Sequence, residues 1–121
     1  MADRRASNQD PAQAPSGYTR TLYRHREAWE RKPAVRAAYA HWYGKVAAAL
    51  SPMSPTVEIG CGCGSLKAFL PDIVATDVRP TPWCDQVVDA CEMPFADASL
   101  GNLVMVDVLH HIGRPVRATN E

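Results

Sequence analysis

The chain has 121 residues, with thirteen Lys/Arg balanced by thirteen Asp/Glu, and is 46% hydrophobic and 21% charged. This is the composition of one soluble globular domain with a modest core. No apolar run nears the roughly 20 residues a bilayer helix needs, and no secretory signal is read in the start MADRRASNQD, which has no apolar segment, so a membrane helix and a disulfide-stapled module are not expected. The four cysteines are therefore read as free thiols and the expected location is the cytoplasm.

The charge is polarised. Residues 1–55 hold nine Lys/Arg and four Asp/Glu, net +5, whereas residues 56–121 hold four and nine, net −5. The basic half reads first as a solvated helical surface; attraction between the halves and an anionic substrate are the alternatives.

Residues 1–17, MADRRASNQDPAQAPSG, lack periodicity and are rich in Pro, Ala, Ser and Gln, which predicts a disordered tail. Residues 18–55 form a predicted helical lead-in. Tyr18, Leu22, His25 and Trp29 recur about one turn apart, and Pro33 closes that helix and opens the next. Val35, Ala38, Tyr39, Trp42, Tyr43, Val46, Ala49 and Leu50 make a wide apolar stripe, so the second helix is expected to pack on a neighbour. Trp29, Trp42 and Tyr43 are read as core rather than as a platform for stacking bases. SPMSP, residues 51–55, breaks the helix.

The texture then changes. TVEI reads as a first strand, followed by Gly60-Cys61-Gly62-Cys63-Gly64 and a brief helix over residues 65–70. DIVATD reads as a second strand ending at Asp77, QVVDA as a third ending near Asp89, and NLVMVDVL, residues 102–109, as a fourth. The fourth is apolar on successive residues, as in a parallel strand covered on both faces. The order strand, glycine turn, helix, strand implies an α/β fold of about four parallel strands with N-terminal helices. Residues 78–85 leave little room for a crossover helix between the second and third strands.

A strand that feeds a Gly-x-Gly turn and a helix places backbone N–H groups beside a ligand, and a Cβ there would block the approach. Glu58 lies two residues before Gly60, and Asp77, Asp89 and Asp107 fall at or near the ends of the next three strands. In a parallel sheet those ends face one crevice. A crevice lined with carboxylates suits a cationic ligand with a free ribose diol better than a pyrophosphate, because one carboxylate accepts from both hydroxyls. S-adenosylmethionine has a sulfonium, an ammonium and that diol, and no phosphate.

On these residues the chain resembles the front half of a class I S-adenosylmethionine-dependent methyltransferase of the broad type 11 kind, with a partial Rossmann-like fold. VEIGCGCG resembles the family's acidic residue followed by Gly-x-Gly-x-Gly, VATDV the acidic end of its second strand, and VVDACEMPFADASLGNLVMVDVLHHI the stretch that carries its Asp-Ala, its Leu-Pro-Phe-like turn and its fourth strand. RKPAVRAAYAHWYGKV is similar to the helical lead-in of some members. The resemblance implies a partial S-adenosylmethionine-binding domain over residues 56–121 and methyl transfer to an unidentified small-molecule acceptor. It implies that Gly60, Cys61 and Gly62 approach the cofactor, that Glu58 orients its methionine end and that Asp77 holds the ribose hydroxyls. It further implies that Asp89 accepts from the adenine amino group with Ala90 and Cys91 beside the ring, and that residues 107–109, from Asp107 to Leu109, wall the methyl group. It implies as well that His110 and His111 face the substrate side, as candidate catalytic bases.

Other readings fit less well. A zinc site would join Cys61 and Cys63 to Cys84, Cys91 or a histidine, but there is no C-x-x-C pair, and no metal is expected. An NAD(P) fingerprint needs glycine where Ser65 stands, and Lys67 does not follow a glycine as a P-loop lysine does. No clear nucleic-acid or membrane signal is present. Four strands where the family has seven imply a truncated chain, either a non-catalytic fragment or interaction module, or one whose sheet a partner chain completes.

Overall fold

The structure, a computed structural model, describes residues 17–121. The tail expected over residues 1–17 lies outside the described residues except for Gly17, which opens the first helix. That helix, α1, spans Gly17–Arg31, and α2 spans Pro33–Ala49. Between them stands only Lys32, extended at φ −108° and ψ 101°, because the proline after it disfavours helical backbone. Pro33 takes the first position of α2, where its missing N–H is no loss. Arg36 reaches back from α2, and its guanidinium donates to the carbonyls of Trp29, at 3.1 Å, and Glu30. These are end carbonyls that α1 itself leaves unpaired.

The sheet is four-stranded and wholly parallel, in the order β3-β2-β1-β4. Its strands are β1 Thr56–Ile59, β2 Val74–Asp77, β3 Gln86–Val87 and β4 Asn102–Met105. The helix α3, Ser65–Phe69, follows the glycine turn, and α4, Pro115–Asn120, which the sequence reading missed, follows β4 and a 3₁₀ turn over Leu109–His111. No described helix is long and apolar enough to cross a membrane.

Three strands are shorter than expected: β2 begins at Val74 rather than Asp72, and β3 and β4 each end early for the same reason. Gly60 leaves extended backbone at φ +75°, so β1 has no rung left for a residue beyond Met105, the partner of Ile59. β4 therefore stops, and Asp107, at φ +57°, turns the chain away. Likewise β2 ends at Asp77, the partner of Val87, and β3 ends with it. β4 is a sheet edge, which leaves Leu103 44% exposed.

Alternation sorts the strand residues onto two faces. Val57 and Ile59 join Val88, Ala90 and Ala118 on one face. On the other, Val104 and Ile73 pack with Tyr43 of α2 and Leu66 of α3, beside Trp29, Val46 and Leu50. Tyr43 also shares a 2.5 Å hydrogen bond with Ser65, and burial lifts its phenol to about 12. Trp42 contradicts the expected stripe: it is 62% exposed and belongs to neither cluster. Its neighbour Tyr43 takes the inward direction, and one residue along a helix turns the side chain by about 100°.

The β2–β3 connection has no helix. The Asp85 carboxylate accepts from the Ala75 N–H at 2.8 Å and pairs with Lys67 of α3, while the Asp85 N–H donates to the Ala75 carbonyl at 2.8 Å. Those bonds fold residues 78–85 tightly enough to bring β3 back parallel. At the opposite end of the sheet, the Asn102 amide binds the carbonyls of Ser51 and Met53 and the Thr56 hydroxyl, which seats the 51–55 link on β4. Gly101 passes so close that a Cβ would lie 2.2 Å from the Met53 carbonyl oxygen. Gly101→Ala is therefore expected to destabilise the fold by at least about 2 kcal/mol, since the obstacle is backbone that cannot rotate aside; urea unfolding measures it, and an unchanged midpoint would show that the link moves freely.

Candidate functional site

The C-terminal edge of the sheet is built around the turn from β1 to α3. Gly60, Gly62 and Gly64 all adopt left-handed backbone, at φ +75°, +53° and +72°, which a side chain disfavours. The turn is tied to β2 at two levels. The Cys61 N–H donates to the Thr76 carbonyl at 2.8 Å, and the Gly62 N–H donates to Asp77 Oδ2 at 3.0 Å. The other oxygen of Asp77 accepts from the Arg79 N–H at 3.2 Å. Asp77 is thus a clamp that joins the glycine turn to the loop leaving β2, and it is 3% exposed.

Glu58 points from β1 to the face of the sheet that Asp77 and Val104 share. It is 4% exposed, and its Oε2 has no hydrogen-bond partner. Burial first, and the charge of Asp77 second, push its carboxyl from 4.5 up to about 7. Burial also drives the Cys61 thiol far above its ordinary range, with Glu58 and Asp77 adding to the effect, so Cys61 is a neutral packing group rather than a nucleophile.

The helix α1 lies across this edge. Leu22 sits 3.6 Å from where a Cβ on Gly62 would be, and Arg26 donates to the Cys63 carbonyl at 3.2 Å. Tyr23 meets the Trp83 ring edge-on at 5.1 Å between centroids, with Trp83 packed against Gly64. The Tyr18 ring holds the Arg79 guanidinium at 4.7 Å, and burial followed by the nearby Asp77 raises its phenol above the usual value. Past the end of β4, at the start of the 3₁₀ turn, Val108 fills the space over Gly60, where an added Cβ would lie 2.6 Å from Cγ2.

The structure therefore brings together Glu58, Gly60, Cys61, Gly62 and Asp77. Asp89 stands two residues past the end of β3 on the same edge, but it is exposed, and its Oδ1 accepts from the Cys91 N–H at 2.8 Å in a tight turn. Ala90 and Cys91 do not flank that crevice: Ala90 is buried among Val57 and Ile59 on the opposite face, with Cys91 packed on the same cluster. The reason is the early end of β3, which lets the chain fold under the sheet. Asp107 has an 88% exposed side chain, 3.5 Å from His110 Nδ1. The rings of His110 and His111 are tilted at 42° to each other, 3.9 Å between centroids, on the surface of the 3₁₀ turn.

Tyr18, Leu22, Arg79 and Trp83 are neighbours of the site that sequence reasoning missed. Tyr18 and Leu22 carried a helical signal, but nothing in linear order said where that helix would lie. All four cysteines are free, and among the described residues no group of three or more His, Cys, Asp or Glu is placed to hold a metal ion. A cavity of about 560 Å³ opens elsewhere, between the 93–100 loop and Leu103 on the face away from Glu58. No protein-family model, no curated protein and no solved structure matches the chain.

Glu58 holds its proton more tightly in the folded than in the unfolded chain. Its contribution to stability is therefore whole below about pH 4.5 and is lost as the pH rises to about 7. Glu58→Gln removes that loss. Between acid and alkaline solution the variant is expected to gain about 3 kcal/mol on the parent, measured by urea unfolding at both ends of the range. Equal pH slopes in the two proteins would show that Glu58 is solvated.

Proposed function

We propose that the chain binds S-adenosylmethionine at the glycine turn, as the N-terminal part of a class I methyltransferase-like domain of partial Rossmann-like architecture, and serves methyl transfer to a small-molecule acceptor. The observation that carries this reading is the pair of buried carboxylates, Glu58 and Asp77, under a turn of three left-handed glycines at the C-terminal edge of a parallel sheet. Glu58 Oε2 is orphaned in a buried place with no countercharge bonded to it, a costly arrangement that a cationic, hydrogen-bond-donating ligand relieves.

Each residue then has a chemical task. Glu58 would receive the ammonium end of the ligand. Asp77 spends one lone pair on each oxygen for the Gly62 and Arg79 N–H groups, and the remaining lone pairs can accept from the two ribose hydroxyls. When bound, the sulfonium supplies a methyl group that already has a good leaving group. What the protein adds is alignment and exclusion of water, which α1 and Val108 provide by covering the turn. His110 presents Nδ1 to Asp107, which orients the ring and leaves Nε2 to take a proton from a hydroxyl or ammonium acceptor. A second reading, a non-catalytic interaction module, draws on the same cover: Leu22 and Val108 already occupy the space next to Gly62 and Gly60.

Equilibrium dialysis with labelled S-adenosylmethionine tests the first reading. Binding should strengthen as the pH rises through about 7, because Glu58 must ionise to meet a cation. Glu58→Gln should weaken binding about tenfold or more and flatten that dependence, and Asp77→Ala should weaken it at least as much, with folding checked by circular dichroism. Absence of binding at millimolar cofactor, or a Glu58→Gln variant indistinguishable from the parent, sinks the proposal.

A further inference from the structure

The outer surface of α2 carries a feature the proposed site does not use. From Arg31 through Val57 the chain has no Asp or Glu. On that acid-free helix Trp42 is 62% exposed and Tyr39 is 44% exposed, one turn apart. The Lys45 ammonium lies 5.6 Å from the Trp42 ring centroid, and His41 meets the same ring edge-on at 6.2 Å. Tyr39 is held from beneath, edge-on to Trp29 at 5.9 Å and tilted on Tyr43 at 5.6 Å, so it is a fixed shelf. Around these rings α2 exposes Ala37, Ala38, Gly44, Ala48 and Ala49, which leave Trp42 standing clear.

The two helices are basic as a whole. Residues 17–55 hold seven Lys/Arg against two Asp/Glu. Arg20 and Arg24 lie on the side of α1 opposite Leu22, and among the described residues neither they, Lys32 nor Lys45 joins an ion pair. A helix built for solvation alone would spread charges of both signs over its outer face. Here large π-faces stand in a field of one sign.

We propose that this face binds a single-stranded polynucleotide, with a base stacked on Trp42 beside the Tyr39 shelf and the adjoining phosphate drawn to Lys45. Stacking on aromatic rings within a basic surface is how unpaired strands are held without sequence preference, since every base has a π-face. A duplex offers no free base to Trp42. Arg20, Arg24 and Lys32 supply the longer-range attraction. This inference is independent of the cofactor reading, because no residue of the glycine turn takes part.

The test is fluorescence anisotropy of labelled oligo(rU) and oligo(dT), each about 12 nucleotides long, titrated with the full chain at about 50 and 200 mM salt. Both should bind, more weakly at the higher salt. Trp42→Ala should weaken binding roughly tenfold and Trp42→Phe much less, while Lys45→Ala should lower the salt slope by about one. Trp42 and Lys45 are exposed, and circular dichroism with thermal melting verifies that each variant folds. An unchanged affinity in Trp42→Ala, equal binding of a duplex of the same length, or no binding at the lower salt overturns the proposal. So does a chain that prefers anionic vesicles to either oligonucleotide.

Discussion

The bond pair that the rest of the edge depends on is the one made by the Asp77 carboxylate. A glycine turn has no side chains to hold it, and three left-handed residues in five give it many conformations in the unfolded chain. Asp77 narrows them by taking the Gly62 N–H on one oxygen and the Arg79 N–H on the other. Charge-assisted acceptance makes both bonds stronger than neutral ones. The turn is then fixed in front of β1, and the direction of Glu58 beneath it follows.

The same clamp explains why α1 settles where it does. With the turn fixed, its carbonyls and the ring of Trp83 form a surface that a helix can meet with few polar losses. Arg26 satisfies the Cys63 carbonyl, Leu22 covers Gly62, Tyr23 abuts Trp83 and Tyr18 takes Arg79 on its face. The eight residues from 78 to 85 hold no helix, and through Trp83 and Arg79 they give α1 part of the surface it lies on. Beneath the turn Glu58 is buried, and burial is what makes its carboxyl resist ionisation.

The two kinds of charge are thus segregated for different ends. The acidic groups gather at strand ends, where Glu58 and Asp77 lose contact with water. The basic groups stay on the outer helices, where water screens them and they act at a distance. A chain with zero formal net charge in this way keeps a buried acidic edge and a basic helical surface apart.

Much of this was written in local order. The apolar spacing of α1 and α2, the breaker at residues 51–55, the strand–glycine–helix run and the acidic residue closing β2 depend on neighbours a few positions apart, and the sequence by itself determined them. The parallel α/β class followed from their alternation. Tertiary structure alone decided the rest. Strand lengths at β3 and β4 are set by where the partner strand stops, Ala90 and Cys91 go under the sheet because β3 ends early, and Trp42 faces outward because Tyr43 next to it fits the groove above Leu66. Periodicity tells which residues share a stripe, but the edge of the stripe that reaches the core depends on the angle at which the helix docks, and that angle is fixed by contacts between residues distant in the chain.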